Sequence, residues 1–189
     1  MNSGDTQDFP LPTTAEESQE LLDVLIKEHA ERSAERAVER LGGPLTAENM
    51  ERYMGDSACL RYPTQIIYSR EGLDEHQFAE AFFLGDEAGR ICVLHVHPQY
   101  AGRREALPLF LAYMAPVINY GHIVTPEVCE SYGATVLGME VEAYYAALCA
   151  VVQDAVVRSG VEGRVTLDGA VWAAAAAMLA QVGGLVAWF

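Results

Sequence analysis

The run ICVLHVHPQY, residues 91–100, ends an apolar stretch on two histidines two positions apart, with a proline directly after. Side chains alternate along an extended strand, so His95 and His97 would share one face about 6.5–7 Å apart, near enough for both imidazoles to meet one ion. Two histidines plus a third histidine or a carboxylate, with water in the open position, form the usual zinc set of a hydrolase. The remaining donors must come from elsewhere in the chain. NYGHIVTPEVCE, residues 119–130, offers His122 and Glu127 beside a predicted helix start. A carboxylate left off the metal, such as Glu130, Glu105 or Glu80, could then act as general base. One reading is therefore a zinc-dependent hydrolase of amide or ester bonds in a small molecule or peptide. Its Zn2+ would sit on His95, His97, His122 and Glu127, with Glu130 or Glu105 as catalytic base.

The competing reading needs no metal. A strand can finish on histidines that are hydrogen-bonded to backbone or to a tyrosine hydroxyl, leaving a non-catalytic protein-interaction or regulatory domain. The H-x-H-P run resembles the zinc-binding core of JAMM-type isopeptidases over four residues. That core places a serine eight positions after the second histidine and an aspartate three further on, where this chain has Glu105 and Pro108. The cupin spacing of a glutamate four or five residues after H-x-H is also missing, so neither family is assigned. There is no GxGxxG after a strand, no Walker loop and no GxSxG elbow.

The elements that would position these groups can be read from periodicity and caps. Thr14 with Glu17 makes a capping box that opens a helix with an apolar stripe of Leu22, Leu25, Ile26, Ala30, Ala34, Ala37, Val38 and Leu41. Gly42, Gly43 and Pro44 stop it. His29 falls on the stripe and reads as a buried or half-buried side chain. A short helix follows over 47–54, then CLRYPTQIIYS as an edge strand interrupted by Pro63. LDEHQFAEAFF carries two signals. Asp74 and Gln77 suggest a capping box and a helix, with His76 at its start, whereas Phe78, Phe82 and Leu84 also alternate as a strand would, with GDEAG as a hairpin turn. The helix is the local preference. RICVLHVH reads as a covered strand, apolar on both faces. Leu107, Phe110, Leu111, Met114, Val117 and Ile118 have core helical spacing. Thr125, Pro126 and Glu127 start a helical stretch that reaches about Arg158 with a break near Gly138. Tyr144, Tyr145 and Leu148 form a packing stripe within it.

Helices, then a few short strands, then helices predict an α+β fold, mainly helical, with a small antiparallel sheet of about three strands against a helical layer. The 189 residues fit a flexible arm over 1–13 and one globular domain over 14–189. With 27 acidic against 12 basic residues, and Lys27 the single lysine, nucleic acid is excluded as a partner. Cys59, Cys92, Cys129 and Cys149 show no CxxC spacing and read as reduced thiols of a cytoplasmic protein. The stretch 169–189, GAVWAAAAAMLAQVGGLVAWF, is long enough for a bilayer core. Gly183 and Gly184 interrupt it and no base flanks it closely, so it reads as a core helix or a homo-oligomer contact and not as a membrane span.

Overall fold

A computed structural model describes residues 14–74, 77–87 and 89–158, without the side chains of 155–158. The expected arm over 1–13, His76 and the apolar stretch 169–189 lie outside these residues.

The Thr14 box forms as read. The Glu17 amide donates to Thr14 Oγ1 at 3.1 Å and the Thr14 amide to Glu17 Oε2 at 3.2 Å, and α1 runs Ala15–Leu41. It ends where the Gly42 amide donates to the carbonyls of Val38 and Glu39. The buried face of α1 is Ile26, Ala30, Ser33, Ala34, Ala37 and Leu41. The small residues let α1 lie close on its neighbour α4 (Pro126–Leu137). The stripe is therefore covered from Ile26 onward, whereas Leu22 and Leu25, expected in the core, are exposed. His29 is exposed as well, with its ring edge-on to Tyr120 and its Nδ1 2.8 Å from the Tyr120 hydroxyl.

After α2 (Met50–Gly55) come three strands, β1 (Thr64–Tyr68), β2 (Ala79–Leu84) and β3 (Ile91–Val96), in spatial order β1-β3-β2. The fold is α+β and mainly helical, but the sheet is mixed: β2 pairs antiparallel with β3 through the 85–90 turn, while β1 pairs parallel with β3. The helix preferred over 74–84 gives way to β2. The cap-like contacts do form, Asp74 N–H to Gln77 Oε1 at 2.9 Å and Gln77 N–H to the Asp74 carbonyl at 3.1 Å, yet they close a turn. Burying Ala79 and Ala81 beside Leu94 and Val96 then outweighs local helix preference.

One face of the sheet, with Ala79, Ala81, Cys92, Leu94 and Val96, belongs to the core. It meets α3 (Leu107–Tyr120), which follows two short 3-10 turns over 98–100 and 104–106. Phe78 stacks on Phe110 with ring centroids 4.7 Å apart. Behind α3 lies α4, flanked by α1 and by α5 (Val141–Arg158), the break near Gly138 falling where it was expected. Among the described residues no single helix is long and apolar enough to cross a membrane.

Candidate functional site

His95 and His97 lie at the C-terminal end of β3, both buried, at 8% and 6% exposure. The chain leaves β1 and enters β2 at this same end, because Tyr68 and Ala79 both pair with Val96. Residues 69–74 cross the sheet face that α3 does not cover. Gly72, at φ +74°, sits so close on the Phe82 ring that a Cβ there would lie 2.2 Å from Cζ. A side chain there would have to displace that ring and would strain the left-handed backbone that glycine adopts freely. The strap encloses His95, whose Nδ1 is 2.9 Å from the Glu71 carbonyl and whose ring lies 4.3 Å from that of Phe82. A carbonyl can only accept, so His95 Nδ1 is the donor in this contact.

His97 is held the opposite way. Its Nδ1 accepts the Gln99 amide at 3.2 Å, capping the 98–100 turn. Burial and the nearby Arg70 lower its pKa, so the ring is neutral with its proton on Nε2. Neither nitrogen of His97 then offers a free lone pair.

The other site residues are dispersed. His122 is exposed and sits close enough to Glu80 to favour its ionised form. Glu105 is an exposed partner of Arg103 at 3.5 Å. Glu127 begins α4, where the Thr125 hydroxyl and its own amide lower its pKa. Glu130 is half-buried, and burial followed by the charge of Glu127 raises its pKa. The structure does not bring His95, His97, His122 and Glu127 together, and among the described residues no three histidine, cysteine or carboxylate side chains are grouped to hold a metal ion.

Glu80 faces the strap opposite His95, with Gln77 Nε2 donating to it at 3.3 Å. Burial raises its pKa, a larger effect than the attraction of His122. A carboxyl whose folded pKa lies above its unfolded value contributes most at acidic pH, and that contribution is lost as pH rises through the folded value. Glu80→Gln should therefore raise the urea midpoint at pH 7, with the gain closing below about pH 4. Equal midpoints for the two proteins at pH 7 would show that this burial has no energetic weight.

A different feature collects unpartnered surface. Between α1 and the start of α4 runs a groove of about 190 Å³ with Val24, Ile26, Ile123 and Val128 as its apolar lining. Asp23, Lys27 and Glu127 supply its charges. Of this lining Val24 is 53% and Ile123 56% exposed, and Leu21, Leu22 and Leu25 are exposed on other faces of α1. Lys27 has no ion-pair partner among the described residues. Sequence reasoning placed Leu22 and Leu25 in the core and passed over Leu21, Val24 and Ile123. The available signal was the run LLDVLI, residues 21–26, which puts apolar side chains around more of the helix than one core-facing stripe needs.

No protein-family model matches this chain, and neither a curated protein nor a solved structure matches it.

Proposed function

We propose that this chain is a non-catalytic binding or assembly domain that takes up an apolar segment in the groove between α1 and α4. The observation carrying this reading is an apolar recess of Val24, Ile26, Ile123 and Val128 in which Val24 and Ile123 are more than half exposed, beside a helix whose Leu21, Leu22 and Leu25 are exposed as well. Contiguous apolar surface on a folded domain marks interaction sites, whereas single exposed leucines do not. Covering the remaining area of Val24 and Ile123 is worth about 1 kcal/mol each before ordering costs. The hydrolase reading has less support, because His97 is committed to the Gln99 amide and the other donors are spread over the fold. The acidic surface disfavours nucleic acid. Free thiols at Cys59, Cys92, Cys129 and Cys149 suit a reducing compartment, so we place the protein in the cytoplasm.

Hydrogen exchange tests the reading whatever the occupant. In the full-length protein, amides over 17–25 should exchange more than about tenfold more slowly than in the Val24→Asp, Ile123→Asp double variant. Both positions are exposed, so the variant should still fold. Equally fast exchange in the two proteins would mean that nothing fills the groove.

A further inference from the structure

Resting on the reading that the α1/α4 groove takes up an apolar segment, we propose that its occupant is residues 171–189 of the same chain. From Val171 to Phe189 the only polar side chain is Gln181, while Trp172, Leu179, Leu185, Trp188 and Phe189 supply bulk for an apolar recess. The reach is sufficient. The end of α5 is tied to the start of α3, with Arg103 Nη1 3.1 Å from Asp154 Oδ2 and in contact with the Val151 carbonyl. The groove lies at the other end of α3, beside Ile123 and Thr125. The 14 residues of α3 span about 20 Å. Residues 159–170, SGVEGRVTLDGA, can cover about 40 Å when extended.

Charge separates this occupant from a second copy of α1. Over residues 15–28, α1 carries Glu16, Glu17, Glu20, Asp23 and Glu28 against Lys27 alone. Two such helices facing each other would press like charges together, whereas the stretch 171–189 brings none. A segment tethered to its own groove also acts at an effective concentration in the millimolar range, well above that of a separate chain in dilute solution.

The sequence contains its own probes. Trp172 and Trp188 are the only tryptophans, and Lys27, beside the groove, is the only lysine. The experiment attaches an amine-directed photo-cross-linker to an equal mixture of 14N and 15N full-length protein, digests with trypsin and reads the links by mass spectrometry. Tryptophan emission is recorded on the same samples. The expected result is Lys27 joined to the peptide 165–189 in unmixed isotope pairs, with emission blue-shifted from that of the denatured chain. In the Val24→Asp, Ile123→Asp variant the link should fall about tenfold and the emission shift red. Mixed isotope pairs would assign the groove to a second copy and overturn the proposal. Denatured-like emission that moves only on adding phosphatidylcholine vesicles would assign the segment to a membrane, with the same consequence. Slow exchange over 17–25 without any link from Lys27 to 165–189 would remove this proposal and leave the groove reading standing. Fast exchange over 17–25 would remove both.

Discussion

Replacing Gly133 with valine should destabilise the protein by about 3 kcal/mol, which for a chain of this length lowers the melting temperature by about 6–12 °C. Gly133 lies inside α4, where the fully buried Tyr144 ring of α5 rests on its backbone. A Cβ at Gly133 would stand 2.5 Å from Cε1 and Cζ of that ring and 2.6 Å from its hydroxyl. Tyr144 cannot simply step aside, because its hydroxyl donates to the Leu109 carbonyl at 2.9 Å and joins α5 to α3. The valine would force the ring off its site and leave that hydroxyl unpaired, adding a desolvation penalty to the overpacking. Thermal unfolding followed by circular dichroism measures the loss. Combining Gly133→Val with Tyr144→Leu should recover part of it, since the second change removes what the first collides with. A Gly133→Val protein that melts within a degree of the parent would show that α4 and α5 do not approach this closely.

The second large effect is expected at Asn119, which is buried near the end of α3. Its Oδ1 accepts the Arg61 amide at 2.7 Å, and its Nδ2 donates to the Cys59 carbonyl at 3.2 Å. One side chain thus satisfies both an amide and a carbonyl of the segment between α2 and β1. Asn119→Ala would leave both backbone groups without partners in a low-dielectric setting, at about 1–3 kcal/mol each where water cannot reach them. We expect about 3 kcal/mol in urea unfolding, together with faster hydrogen exchange at Arg61. A loss below about 0.5 kcal/mol would mean that water replaces the side chain without penalty.

Much of the fold was legible because its signals are local. The Thr14 box, the stop at Gly42, the Thr125–Pro126 start and the break at Gly138 each depend on a few neighbouring residues, and each falls where it was read. The segment 74–84 was misread because its local chemistry is ambiguous: Asp74 and Gln77 make the contacts of a helix start, and only the distant Leu94 and Val96 decide that a strand follows. The parallel pairing of β1 with β3 left no local mark at all, since it depends on the strap returning the chain to the same end of the sheet.

The candidate site was less legible than the fold. The strand geometry of His95 and His97 followed from alternation, but the roles of the rings depend on the Glu71 carbonyl and the Gln99 amide, which spacing does not reveal. The apolar stripe of α1 was read correctly as a pattern. What the pattern could not say is where the covering body ends, and Leu22 and Leu25 fall beyond that edge.

The way α1 is fastened has a mechanical meaning. From Ile26 onward it is held by buried alanines, and the buried Ser33 adjoins Tyr120 and Tyr132, the latter with its hydroxyl 2.9 Å from that of Tyr53. Ahead of that anchorage, residues 15–25 form an arm about 16 Å long that no other described element buries. The helix is thus clamped at one end, and a segment seated at Val24 would press on the arm close to its fulcrum. Filling the recess would therefore bear on the outer turns of α1 and not on the sheet.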